Sequence, residues 1–335
     1  MMIIRSIFTA LISFFILGCM EPNKENLWNL DSVAHLKTEG YCRDVFISGD
    51  SVFIAAGQAG IQLWDISSIV SPKIIWDMTL TEIGANKEIS QIEYEPSIKQ
   101  LFILESNERP IHIDLSRGDS SPIVLGQFSS EKTKEFRVIT NNSDSFTAFA
   151  ADNDDGLKWS RFDYDTTFGI WFNSAGGEIT SRGNPNGIDI YGSSLILTLD
   201  QLGIELYQNN LEILSSRIHK DLDGNARSVK MISEQEFYIA CEDGGAYRLF
   251  LSNSLEWQYM VQFAKDLFVT HVSSNNDQIS LSCASNGLAL YESKQNGQVE
   301  ERGIHDIGYV YHTEFSNDYL FAATRDGLQI LMILE

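Results

Sequence analysis

Positive charge is scarce in this chain. Its 335 residues carry 24 Lys and Arg against 46 Asp and Glu, a formal charge of −22. So acidic a surface repels phosphate backbones and offers no polybasic hold on anionic lipid, which argues against a nucleic-acid partner. Four cysteines are too few for a disulfide scaffold. Only six prolines are present, and no Pro/Gly/Ser-rich linker divides the chain, so two separate domains are disfavoured. The longest apolar run, Ile7 to Leu17, is about eleven residues, too short to span a bilayer. No GxSxG, HExxH, P-loop, CxxC or dinucleotide fingerprint occurs. With 43% hydrophobic and 21% charged residues, disordered and collagenous classes are excluded too.

What is present begins with an address. Arg5 supplies a short positive region, and the apolar run ends in Ile16-Leu17-Gly18-Cys19. This resembles the bacterial lipoprotein signal, in which a small residue precedes cleavage and the next Cys is acylated. The resemblance implies a signal peptide over 1–18, diacylglycerol and an N-acyl chain such as palmitate on Cys19, and a stable lipid anchor. Residue 20 is Met rather than Asp, which by the same resemblance implies the outer membrane of the bacterial envelope. Residues 19–27 then form a short polar tether.

The body, 28–335, is a repeat. Gly187, Arg227, Thr270 and Tyr311 each open a copy of one phrase: a strand, a turn, a second strand, then Gly and an apolar strand. The first copy runs from Arg43, and degenerate copies start near Ser90 and Phe136. Their first-strand anchors are Val45, Ile92, Val138, Ile188, Val229, Val272 and Thr313, spaced 41 to 50 residues apart. Four short strands at that period make an all-β, seven-bladed β-propeller. The seventh copy has three strands, and Asp31–Lys37 alternates like a lone strand. The expected closure is therefore an N-terminal strand completing the last blade. A recurrent glycine (Gly60, Gly156, Gly203, Gly245, Gly287, Gly327) precedes the third strand, where a positive φ or a close blade-to-blade approach suits it. Blade 2 has Arg109-Pro110 there instead, and blade 3 carries extra residues around 161–176 that would project as a longer loop.

Gly60-Ile61-Gln62-Leu63-Trp64-Asp65-Ile66-Ser67, followed by Ser71-Pro72, resembles the repeat phrase of the LVIVD-repeat family of secreted or surface propellers. Ile113-Asp114-Leu115-Ser116 echoes it. The resemblance implies fold and envelope location, not a reaction. The WD-repeat signature is absent.

The residues just before the anchors should ring the central channel near one mouth: Asp44, Gln91, Arg137, Gly187, Ser228, His271 and His312. Blades 6, 7 and 1 are consecutive, which makes His271, His312 and Asp44 neighbours able to hold a divalent metal or work as acid and base. A water-filled polar channel fits the same residues. Arg43 and Tyr311 flank the cluster. Two acidic loops, Asp152-Asn153-Asp154-Asp155-Gly156 and Asp221-Leu222-Asp223-Gly224-Asn225, could attract calcium or simply make turns. Cys42, Cys241 and Cys283 read as buried free thiols. Trp64, Trp76, Trp159 and Trp257 read as packing between blades, with Trp171-Phe172 a candidate exposed aromatic surface. Three functions are consistent with these features. The first is a lipid-anchored, non-catalytic scaffold binding an envelope protein or small ligand. The second is a metal-assisted hydrolase or lyase using Asp44, His271 and His312. The third is a glycan or small-molecule sensor using the blade 3 loop with Trp171; Arg43, Gln91, Arg137, Tyr311 and Trp171 are the candidate ligand contacts.

Overall fold

The structure is a computed structural model, and it describes residues 27–118, 122–208 and 216–335. Cys19, the signal peptide and nearly all of the tether lie outside the described residues. The chain forms seven four-stranded antiparallel sheets, arranged as the blades of a propeller. The innermost strands are Asp44–Ser48, Ile89–Glu95, Thr133–Asn142, Gly187–Tyr191, Ser228–Met231, His271–Asn275 and Val310–Ser316. Each contacts the next, and the last contacts the first, so the ring is closed.

Closure uses the N-terminal strand. Asn29–Leu36 pairs antiparallel with Gly327–Leu334 and supplies the outer strand of blade 7. A sheet edge that would otherwise expose unpaired N–H and C=O groups is covered, and the two ends of the ring are locked together. The second strands explain the apolar runs: Val52–Ala55 and Leu101–Leu104 are buried on both faces because each blade packs against two others. The core is accordingly divided into seven apolar clusters, one for each blade-to-blade interface.

The recurrent glycine has one cause in six blades. Gly60 sits at φ +93°, and a Cβ there would lie 2.0 Å from the Met78 carbonyl oxygen. The close approach is to the fourth strand of its own blade, not to the neighbouring blade, which corrects the second of the two reasons expected from sequence. In blade 7 the crowding carbonyl belongs to Leu36, so the N-terminal strand occupies the fourth-strand place down to this contact. Blade 2, lacking the glycine, puts Asn107 in the left-handed region at φ 56°. Blade 3 carries the extended hairpin, with strands Gly156–Asp165 and Ile170–Ile179 of ten residues each. Cys42, Cys241 and Cys283 are buried free thiols. No described helix is long and apolar enough to cross a membrane.

Candidate functional site

The central channel holds two cavities, of about 240 Å³ and about 150 Å³. Asp44, Gln91, Arg137 and His312 line both. The ring expected near one mouth therefore crosses the waist of the channel, with Ser228 and His271 facing only the smaller cavity. Gly187 contributes no side chain. A Cβ there would come 2.9 Å from the Glu135 carboxylate, which crosses this point to reach blade 4.

That crossing belongs to a wider pattern. Innermost strands have a channel-facing edge whose backbone N–H groups lack a strand partner, and buried donors must be satisfied. Here the acidic and amide side chains of one blade cap the N–H groups of the next. Asp44 accepts from Ile92 N at 2.9 Å, and Gln91 accepts from Phe136 N at 3.0 Å. Glu93 accepts from Val138 N at 3.1 Å. Glu135 accepts from Ile188 N at 3.1 Å, and Asp189 from Met231 N at 2.7 Å. Several acids of the channel are thus clasps between blades 1 and 5.

His271, His312 and Asp44 are neighbours, as the blade order requires. The His312 Nδ1 lies 3.1 Å from Asp44 Oδ1, and the two imidazole rings lie with centroids 3.8 Å apart and planes tilted by 32°. Asp44 already accepts from Val45 N and Ile92 N. Among the described residues no three His, Cys, Asp or Glu groups are placed to share a metal ion. The pair divides one charge. Burial opposes charge on His312, but Asp44 and Glu314 outweigh it and hold its pKa above the usual value. Burial, then the neighbouring His312, pushes His271 well below the usual value, so His271 is the neutral partner. Burial raises Asp44 despite the opposing pull of His312.

Arg137 anchors the waist. It reaches Glu135 at 2.7 Å and Asp189 at 3.3 Å. Burial works against its charge, yet Glu135, Asp189, Glu93 and Asp44 together raise its pKa further. Glu93 is the exception among the acids. Its Oε2 is buried without a partner, and burial lifts its pKa to about 7.

At the channel mouth, aromatic and guanidinium groups assemble from blades 7 and 1. Arg43 is held by a two-point contact with Glu88 and lies 4.3 Å over the Tyr311 ring. Tyr309 packs 4.6 Å from Tyr311, and Tyr41 is 6.2 Å from it. Arg325 sits over Tyr309 and Tyr41 at 4.8 and 5.4 Å. Tyr41 is 46% exposed and Arg325 is also exposed, so this rim faces solvent.

The other sequence candidates are used by the fold. Trp171 is half-buried, 5.1 Å from Phe146 and 5.2 Å from Tyr164, and packs into the interface of blades 2 and 3. The exposed aromatics of that hairpin are Phe172 and Phe168, so the expected Trp171 platform is corrected to a packing residue. In the first acidic loop Asp152 accepts from Glu131 N and Asp154 N, while Lys132 pairs with Asp154 and Lys158 with Asp155. In the second, the Asp223 backbone bonds the Tyr247 hydroxyl.

Sequence reasoning missed Glu93, Asp189, Lys230 and Glu314, which line the larger cavity. Each lies two residues beyond a ring member, so strand alternation carries the signal. Lys134 and Glu135 reach the smaller cavity beside a register shift between Thr133 and Glu135, which no alternation foretells.

The same overall fold occurs in solved WD40 propellers. The WD40 repeats of RRP9 superpose with a TM-score of 0.70 at 10% identity, covering 91% of this chain and 97% of that one. Saccharomyces cerevisiae Sqt1 gives 0.63 at 11% identity over 91% and 99%. The WD40 propeller domain of Doa1 gives 0.62 at 11% over 90% and 96%. At such identities the likeness is one of fold alone. No protein-family model and no curated protein matches the chain, so the LVIVD resemblance rests on the quoted residues.

Proposed function

We propose that this protein is a non-catalytic binding scaffold, lipid-anchored in the bacterial envelope through Cys19, with the rim of Tyr41, Tyr309, Tyr311, Arg43 and Arg325 as its docking face. The observation that carries the reading is the rim itself. Three tyrosines and two arginines are joined in a chain of contacts of 4.3 to 6.2 Å at an open channel mouth. Tyr and Arg concentrate binding energy at protein interfaces: both offer large contact area with a polar tip, and Tyr does so at little cost in conformational freedom. The closed ring holds the rim rigid before a partner arrives, which lowers the ordering cost of association. The WD40 likeness supports a frame suited to such a face.

The anchor is tested by fractionation. Cys19→Ser should release the chain from membranes, and an N-terminal mass without acyl chains in the parent would contradict anchoring. The docking face is tested by paired substitutions. Tyr311→Ala with Arg325→Ala should abolish retention of a cross-linked partner while the circular dichroism spectrum stays unchanged. Retention equal to the parent would reject the rim as the docking face.

A further inference from the structure

The other cations around the channel have acidic partners. Arg43 pairs with Glu88, Arg137 with Glu135 and Asp189, and Lys230 approaches Glu314 at 4.0 Å. Lys134 and Arg227 differ. Both line the smaller cavity, and among the described residues neither makes an ion pair. Lys134 donates only to the neutral amide oxygen of Asn107, while Arg227 is exposed at the cavity's edge. The two are close enough that Arg227, after burial, helps hold the Lys134 ammonium below its usual pKa, with only Asp154 pulling the other way. Asp154 itself is paired with Lys132.

Two orphaned polar atoms line the same cavity. Ser228 is 5% exposed and its Oγ has no partner. His271 Nδ1 is buried and likewise unpartnered. A buried hydroxyl without a partner is destabilising, and two neighbouring cations repel. In a chain of charge −22, acids to neutralise them were abundant. The acids that do reach this cavity, Asp44 and Glu135, are already engaged with His312 and Arg137. What would satisfy all four groups at once is a compact group with negative charge and several lone pairs.

We propose that Lys134, Arg227, Ser228 and His271 form a site for the oxyanion of a small ligand, a phosphate or a carboxylate, in the smaller channel cavity. The cavity of about 150 Å³ has room for a phosphate-sized group with a few waters. The two cations supply the charge, Ser228 donates its O–H, and His271 donates an N–H in its neutral form. This site goes beyond the scaffold reading and does not depend on the rim being an interface.

The test is calorimetric titration of the purified full chain with inorganic phosphate and, separately, with succinate, at about 0.05 and 0.3 M salt. One-to-one saturable binding that weakens with salt is expected for at least one probe. Phosphate binding alone assigns a phosphate ligand, and succinate binding alone a carboxylate. Lys134→Gln and Arg227→Gln should each weaken binding roughly tenfold or more, with Ser228→Ala weakening it less. Without ligand, the two charge variants should unfold at or above the parent's temperature, because a repulsion has been removed. No saturable binding of either probe would overturn the proposal. So would binding in both charge variants as tight as the parent's, or a ligand-free loss of stability with binding unchanged.

Discussion

Asp44 is the group whose removal tests the clasp account most sharply. Its side chain is 8% exposed, accepts from Val45 N at 2.8 Å and Ile92 N at 2.9 Å, and stands 3.1 Å from His312 Nδ1. Asp44→Ala leaves the Ile92 amide uncapped at the junction of blades 1 and 2 and strips His312 of its counter-charge. Breaking a largely buried pair from one side costs about 3–5 kcal/mol. Asp44→Asn keeps an acceptor for one amide, so its cost near pH 6 should be about 1–2 kcal/mol. The pH dependence carries the mechanism. His312 has a folded pKa above its unfolded value of 6.5. Its contribution is complete below about pH 6.5 and fades as pH rises through the raised folded value. Above that window Asp44 is a buried carboxylate facing a neutral ring, which its own raised pKa already disfavours. The cost of Asp44→Asn should therefore shrink as pH rises from 6 towards 9. Urea unfolding at several pH values measures it, and the NMR titration of His312 should move to lower pH in the variant. A cost independent of pH, with an unmoved His312 titration, would refute the reasoning.

Other consequences follow from single residues. Glu93 is lifted from 4.5 to about 7 by burial, and that gap corresponds to at most about 3–4 kcal/mol. A raised carboxylate pKa loses stability as pH rises from 4.5 to 7, so Glu93→Gln should stabilise the protein at pH 8 and give no gain at pH 4. His112 is buried against Phe102 and Phe146 and depressed to about 3. It must enter the fold neutral, so stability should fall as pH drops below 6.5, by up to about 1.4 kcal/mol per pH unit; His112→Asn should flatten that slope in acid unfolding curves. Phe146 is fully buried among Phe102, Phe162 and Trp171. Phe146→Ala should cost about 3–5 kcal/mol in urea unfolding, since the ring of blades holds the cavity open.

The blade count and the closure by an N-terminal strand were legible in sequence, because strand alternation and a recurrent glycine report directly on a repeated four-stranded unit; the residues of the ring were read too, but at one mouth and not at the waist, where two cavities meet. Blade 7 illustrates how local irregularity enters. A register shift between Val310 and His312 precedes the anchor Thr313, yet His312 still faces Asp44. The clasps were not legible. Glu135 and Asp189 matter through backbone amides of the next blade, 53 and 42 residues away, and alternation says nothing of that distance. The rim was half legible: Arg43 and Tyr311 flank the ring, but Tyr41 joins Tyr311 and Arg325 only when the chain's two ends meet. Trp171 misled because its burial depends on Phe146 and His112 in the adjoining core, not on its place in a long hairpin.

The central claim is that the rim at the channel mouth is a docking face, and site-specific photo-cross-linking in native cells tests it most directly. A photoreactive residue replacing Tyr41 should yield an adduct of one defined mass, while the same group at Phe168, on the exposed blade 3 hairpin, should not. An adduct at Phe168 with none at Tyr41, or none at either, would contradict the account.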